Sequence, residues 1–233
     1  MEQDPQQQKF CHPHPPFGMP PFFGKPCHFP IARIGAPAPA FKTGAWDNGS
    51  FREISLEDYK GKWVVLFFYP ADFTFVCPTE ICSFSDANDN FAKINTVVLG
   101  CSPDSQYCHR EFALKERKQG GLAPCKIPLL GDISHKLCKS YGCYIECGPS
   151  AGTCYRATYI IDAEGIIRHI SMNDLGVGRN IDEVLRLVQA LQYNQENGEV
   201  CPMNWKPGRK TMKPEVGDAT VKKYFEEELG KNK

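Results

Sequence analysis

No charge imbalance marks this chain: its 233 residues carry 27 Lys and Arg against 27 Asp and Glu, a formal net charge of +0. Proteins that grip polyanions concentrate basic charge, so neither nucleic acid nor an acidic membrane surface is an expected partner. Long apolar runs are also missing. The longest, Trp63 to Tyr69, falls far short of the roughly 20 residues a membrane helix requires. The opening Met1-Glu2-Gln3-Asp4-Pro5 lacks the basic-then-apolar order of a secretory leader, and its acids are wrong for a mitochondrial one. A cytoplasmic location is expected. Cys-x-x-Cys occurs nowhere, which removes a local dithiol as the working element.

Cysteine itself is plentiful, at 12 residues. An even number fits a disulfide framework in a secreted protein. Without a leader, and with enough chain for a sizeable core, thiols kept for chemistry or simply buried are the expected state. Asn48-Gly49-Ser50 has the letters of a glycosylation acceptor, but Asn-Gly readily takes positive φ and reads better as a hairpin turn.

Three regions are expected. Residues 1–30, with Gln6 to Gln8 followed by Pro, Phe, Gly and His, show no apolar period and read as a disordered tail. Its Cys11-His12-Pro13-His14 and Cys27-His28 are zinc-type ligands at a spacing that matches no compact finger. A solvated tail is the preferred reading, metal binding the alternative. Residues 31–193 read as one globular domain, and 194–233 as a C-terminal arm.

Within the domain, Phe41 to Trp46 and Phe51 to Ile54 flank Asn48-Gly49 as a hairpin. Trp63 to Tyr69 is a strand with neither face polar, as in a central sheet position. Helices are predicted over Pro78 to Phe91 and Asp104 to Lys118, with a strand from Thr96 to Cys101 between them. Ile127 to Leu130 is extended, and a short helix follows around Ser134 to Lys139. Tyr155 to Ile161 and Ile166 to Ile170 pair across Asp162-Ala163-Glu164-Gly165. Asn180 then caps a helix whose apolar face is Ile181, Val184, Leu185, Val188 and Leu191. This order describes an α/β fold of thioredoxin-like type: a central mixed sheet with one antiparallel edge, helices on both faces, an N-terminal hairpin and a C-terminal extension. A last helix, Asp218 to Leu229, carries Val221, Tyr224, Phe225 and Leu229 on one side and should pack on the domain or on a neighbouring subunit.

The residue that stands out is Cys77. It follows a buried strand and precedes Pro78, a residue suited to the first turn of a helix because its missing N–H costs nothing there. A thiol at that place faces unpaired N–H groups and the positive end of the macrodipole, which favour thiolate, the attacking form. Most free cysteines are merely small buried apolar residues, but strand, turn, Cys and Pro in this order favour reactivity. A thiolate with a hydroxyl and a cation nearby suits displacement at an oxygen–oxygen bond, because donors aimed at the departing oxygen stabilise charge that develops only in the transition state. Thr74 can curl back to offer its hydroxyl, Pro70 can shield the sulfur, and Arg156 at the start of its strand is the candidate guanidinium, with a surface salt bridge as its plainer role. The product, a sulfenic acid, can be captured by a second thiol. Cys201 leads the candidates, ahead of Cys82, Cys143, Cys147 and Cys154; Cys82, on the helix after Cys77, is expected to be buried and turned away.

Pro70-x-x-x-Thr74-x-x-Cys77, Cys77-Pro78-Thr79-Glu80, Arg156, Val177-Gly178-Arg179 and Val200-Cys201-Pro202-x-Asn204-Trp205-Lys206-Pro207-Gly208 together resemble a typical 2-Cys peroxiredoxin, over about Ile31 to Phe225. The resemblance implies reduction of hydrogen peroxide, organic hydroperoxides and peroxynitrite, with no cofactor and no resident metal. It implies that Cys77 is the peroxidatic cysteine, that Thr74 and Arg156 bind peroxide, that Pro70 shields, and that Glu80 and Arg179 orient Arg156. Cys201 would resolve Cys77 of the partner subunit in a head-to-tail homodimer. Thioredoxin or a similar protein would return the thiols, and dimers would assemble into a ring of ten. A non-enzymatic holdase role is a rival that the same resemblance allows, and a metal-binding or scaffolding role resting on the tail is another.

Two departures matter. Gly120-Gly121-Leu122-Ala123 stands where sensitive eukaryotic members have Gly-Gly-Leu-Gly, while Tyr224-Phe225 matches their terminal-helix motif. Together they imply a helix that covers Cys77 and must unfold before resolution. The stretch Cys143 to Cys154 looks longer than the family's and holds three cysteines; a tolerated loop insertion is the plain reading, a supplementary redox or metal site the sharper one.

Overall fold

A computed structural model describes residues 32–230, so the zinc-type ligands of the tail lie outside the described residues. The first hairpin is as expected: β1 (Lys42–Asp47) and β2 (Ser50–Ser55) pair antiparallel, with Asn48 and Gly49 at φ of 43° and 89° as its two-residue turn. β3 (Trp63–Phe68) is buried along its whole length. Val64, Leu66 and Phe68 enter one core layer, while Trp63, Val65 and Phe67 enter the other. That two-sided burial is why the strand shows no polar alternation.

β4 (Thr96–Ser102) and the short β5 (Leu129–Gly131) run parallel to β3, and β6 (Arg156–Ile161) and β7 (Ile167–Asn173) continue the sheet antiparallel on the other side of β3. The seven strands lie in the order β2-β1-β5-β4-β3-β6-β7. The sheet therefore has two antiparallel edges where one was expected. The second arises because Ala45 and Trp46 of the hairpin pair with Leu130 and Leu129, a long-range register that no local pattern encodes.

α1 (Cys77–Lys93), α2 (Gln106–Leu114) and α4 (Ile181–Asn197) cover one face through Ile81, Phe84, Phe91, Phe112, Val184 and Val188. The small α3 (Lys136–Ser140) packs Leu137 and Cys138 on the other. The Asn180 cap is borne out, its side chain accepting from Glu183 N at 3.1 Å. α2 is shorter than predicted. Lys115 is extended, and the returning chain captures the carbonyls at the helix end: Leu122 N donates to Phe112 O at 3.1 Å and Ala123 N to Lys115 O at 3.0 Å. Gly121 permits this return, since a Cβ there would meet Lys115 O at 2.1 Å.

The segment before β6 is an irregular hairpin rather than an open loop: Tyr144 pairs antiparallel with Cys154, and Ile145 N donates to Thr153 O at 2.9 Å. In the C-terminal arm, α5 (Ala219–Tyr224) runs on into a wider helical turn, Phe225–Leu229. Val221 and Tyr224 are half-buried, but Phe225 and Leu229 are exposed. The helix makes its ion pairs with Lys210, through Glu227 and Glu228, rather than with the segment around Cys77.

Candidate active site

Cys77 is the first residue of α1, one position before the predicted start, and has no solvent exposure. The turn that follows is closed by Thr79 N and Glu80 N, both directed at Val76 O. Glu80 thus projects from the first turn, on the same helix end as the sulfur.

Two strand-borne and loop-borne cations converge on that end. Arg156 opens β6, and its Nη1 lies 3.4 Å from Cys77 Sγ and 2.6 Å from Glu80 Oε2. Its Nε donates to Leu175 O at 2.9 Å, which sets the plane of the guanidinium. Arg179 comes from the loop before α4. Its backbone N and Nε donate to Glu80 Oε1 at 2.8 and 2.9 Å, and its Nη2 to Oε2 at 2.9 Å. Nη1 reaches the Phe68 and Ala157 carbonyls, and the guanidinium lies over the Phe67 ring, 4.9 Å from the centroid. Gly178 lets this loop close on the site, since a Cβ there would press on Val76 Cγ1 at 3.3 Å.

The charge count of this cluster is informative. Arg156 and Arg179 have side chains 4% exposed and Glu80 2%, so two cations and one anion are withdrawn from water. Buried charges are costly unless balanced, and Glu80 is the carboxylate set between the two guanidinium groups. Burial opposes charge on Arg156, yet Cys77 and Glu80 together hold its pKa above the ordinary arginine value. This arrangement presents a guanidinium beside the Cys77 sulfur.

The loop from Pro70 to Val76 is held from beneath by residues the sequence reading did not single out. Asp72 accepts from Tyr69 OH at 2.9 Å and faces His109 Nδ1 at 2.8 Å, while its backbone N donates to Asp104 Oδ2 at 2.8 Å. His109 Nε2 meets Leu130 O at 3.0 Å; a carbonyl only accepts, so that nitrogen carries a proton. His109 Nδ1 faces both Asp72 Oδ2 and the Tyr69 hydroxyl, the latter at 3.3 Å. Phe73 takes φ of 56° and rests on Phe112 at 4.7 Å between centroids, so the loop is pinned in a sparsely populated conformation. Nothing in the spacing of Asp72 and His109 announces this contact.

Pro70 is buried beside the loop. The Thr74 hydroxyl donates to Ala71 O at 3.1 Å, within its own turn. Cys201 sits in the arm, next to the Val200 to Met212 bridge, with its Sγ 3.6 Å from Ala190 O. Burial raises its pKa, partly offset by Arg186. Cys77 and Cys201 are both free thiols in this protomer. Cys82 is half-buried near Gly121 O, as expected of a side chain turned away from Cys77. Cys143 and Cys154 are buried and Cys147 is exposed. Among the described residues the group with metal-ligand spacing is Asp72, Asp104 and Cys108, but its carboxylates already accept protein hydrogens.

A cysteine on a helix N-terminus of a thioredoxin-like sheet, with a buried guanidinium on its sulfur, is an arrangement suited to a thiol peroxidase. The AhpC/TSA family matches residues 34–170, and the C-terminal domain of 1-Cys peroxiredoxin matches residues 190–227. Peroxiredoxin-2 of Macaca fascicularis is 54% identical over 194 residues, covering 83% of this chain and 96% of the relative. Peroxiredoxin-4 of Homo sapiens is 50% identical over 199 residues, covering 85% and 72%. Among solved structures, reduced 2-Cys peroxiredoxin of Plasmodium vivax has a TM-score of 0.74 at 40% identity, over 78% of this chain and 93% of that one. AhpC of Enterococcus faecalis has a TM-score of 0.67 at 36% identity, over 74% and 100%. The chain belongs to the AhpC/TSA family, and it is a thiol-dependent peroxidase.

Proposed function

We propose that Cys77 is the peroxidatic cysteine and that Cys201 resolves it across a homodimer. The contact that carries the reading is Arg156 Nη1 at 3.4 Å from Cys77 Sγ, in a buried cluster with Glu80 and Arg179. In this mechanism the thiolate attacks one peroxide oxygen and breaks the oxygen–oxygen bond. Arg156 stabilises the charge on the departing oxygen, which leaves as water or an alcohol after protonation. Thr74 turns its hydroxyl toward the peroxide when one is bound, and Pro70 keeps bulk water from the sulfur. Glu80 and Arg179 position Arg156. The sulfenic acid on Cys77 is then attacked by Cys201 of a second subunit, releasing water and leaving an intersubunit disulfide.

Two features support resolution between subunits. Cys201 lies on an arm packed against α4, and the apolar side of the terminal helix is left exposed at Phe225 and Leu229 in one protomer. The division into a peroxidase domain over 31–193 and an arm over 194–233 belongs to the same reading. So do a thioredoxin-like reductant, a ring of ten subunits and a cytoplasmic location; no helix of the described residues is long and apolar enough to cross a membrane.

The test is a non-reducing gel of reduced protein mixed with stoichiometric hydrogen peroxide. A covalent dimer forms in the wild type and is absent from both Cys77→Ser and Cys201→Ser. Rapid peroxide consumption that persists in Cys77→Ser would end the proposal.

A further inference from the structure

Arg186 is a part-buried cation that the Cys77 site does not use. It stands on α4 one turn before Ala190, whose carbonyl lies 3.6 Å from Cys201 Sγ. Glu183 grips its guanidinium from one side, Nε donating to Oε2 at 2.6 Å and Nη2 to Oε1 at 2.7 Å. That fork fixes the guanidinium plane, and the remaining nitrogen, Nη1, donates to Trp205 O at 3.0 Å. Trp205 follows Cys201 by four positions and is 2% exposed, its ring on Tyr193 of the same helix.

α4 therefore holds the arm on both sides of Cys201. Ahead of it, Asn194 Nδ2 donates to Glu199 O at 2.8 Å, just past Gly198, where φ is 67°. Beyond it stands the bond from Arg186 to Trp205 O. The first tie sits where the arm leaves the helix, so it can act only as a pivot. The second lies at the far end of the loop and decides whether that loop swings. Trp205 N donates to Pro202 O and Trp205 Nε1 to Arg209 O, both at 3.1 Å, so the loop moves as a unit. Arg186 and Ala190 share one open groove with Cys201, Met203 and Asn204. A thiol is a weak donor, so the contact of Cys201 with Ala190 O restrains little, and the charge-assisted bond from Arg186 is the stronger hold.

We propose that Arg186 is a positioning residue for the resolving step: its bond to the Trp205 carbonyl latches the arm on α4 and limits how often the Cys201 sulfur is released. The inference rests on the reading of Cys201 as the resolving cysteine. In that step the Cys201 sulfur bonds to the sulfenic sulfur of Cys77, the sulfur–oxygen bond breaks, and hydroxide leaves as water with the proton of the Cys201 thiol. Cys201 cannot reach a second subunit while its sulfur lies against Ala190. Glu183 acts through Arg186, by aiming it.

The test follows Cys201 by itself first. Full-length protein carrying Cys77→Ser is treated with iodoacetamide at pH 8 while folded, and alkylation is read by peptide mass mapping. Arg186→Met, which keeps the stem without a donor, should speed alkylation of Cys201 about tenfold, the scale of one hydrogen bond from a charged group. Cys101 and Cys154, both buried, should stay unmodified and show that the fold is intact. Glu183→Gln should give a smaller rise, and none in the Arg186→Met background. Alkylation that is unchanged, or slower as it would be if Arg186 acted only as a cation beside the thiol, overturns the proposal. With both cysteines present, rapid mixing with hydrogen peroxide separates the two steps. In Arg186→Met the peroxide-independent phase that forms the covalent dimer should rise several-fold, and the peroxide-dependent phase should stay within twofold. A wild-type dimer whose rate of formation Arg186→Met leaves unchanged overturns the latch alone. Absence of any covalent dimer in the wild type overturns the reading of Cys201, and the role of the latch in resolution with it.

Discussion

Arg179 holds Glu80 by three hydrogen bonds, from its backbone N and Nε to one carboxylate oxygen and from Nη2 to the other, at 2.8 to 2.9 Å. The grip leaves Oε2 free to accept Arg156 as well, at 2.6 Å, and so fixes the guanidinium that touches Cys77. Glu80 therefore bridges two buried cations, Arg179 and the Arg156 that touches Cys77.

Glu80→Gln removes the carboxylate that Arg156 and Arg179 share and leaves two buried guanidinium groups without it. Breaking a buried ion pair from one side costs about 3–5 kcal/mol, so a comparable loss is expected in urea unfolding. With Arg156 no longer steered, sulfenate formation on Cys77 should slow by about 10²-fold, the scale of losing one aimed donor. Stopped-flow fluorescence against hydrogen peroxide measures it. A rate within twofold of wild type would show that Arg156 is positioned without Glu80.

Asp72→Ala removes the carboxylate that Tyr69 OH and His109 Nδ1 both contact in a buried site, and leaves those two groups only each other, 3.3 Å apart. Losing these buried hydrogen bonds costs about 1–3 kcal/mol, and here the cost falls on the loop that carries Cys77. Hydrogen exchange at residues 71–76 should accelerate at least tenfold while β3 and β4 stay protected. Equal acceleration across the sheet would mean global rather than local loosening.

Cys108 is half-buried, but burial first and then Asp72 and Asp104 push its pKa up to about 12. At pH 8 a thiol of that pKa is ionised in only about one molecule in 10⁴, so iodoacetamide should spare Cys108 in the folded protein. The sign follows from the carboxylates: their negative charge opposes a second negative charge on the sulfur. Asp104→Asn removes one of them, and alkylation of Cys108 at pH 8 should rise several-fold by peptide mass mapping. Rapid alkylation of Cys108 in the wild type would contradict the assignment.

The elements that local pattern controls were legible in the chain alone. Asn48-Gly49 sets its hairpin by backbone conformation, the Trp63 to Phe68 run declares a strand buried on both faces, and Asn180 caps α4 with its own side chain. Cys77 before Pro78 marks a helix N-terminus, and Arg156, Glu80 and Arg179 were legible through resemblance to the family. The end of α2 was not legible, because the carbonyls of Phe112 and Lys115 are taken by Leu122 and Ala123 after an irregular return. Nor was the second antiparallel edge, which depends on β1 meeting β5 across more than 80 residues.

The amino-acid sequence by itself thus marked the candidates for nucleophile, cation and carboxylate, since each of those chemistries is a property of a side chain and its immediate neighbours. Only the tertiary structure decided that Arg156 reaches Cys77, that Asp72 and His109 meet beneath the loop, and that Arg179 holds Glu80. Those relations join separate strands, helices and loops, and direction and distance between such elements come from packing the whole sheet, which no local spacing records.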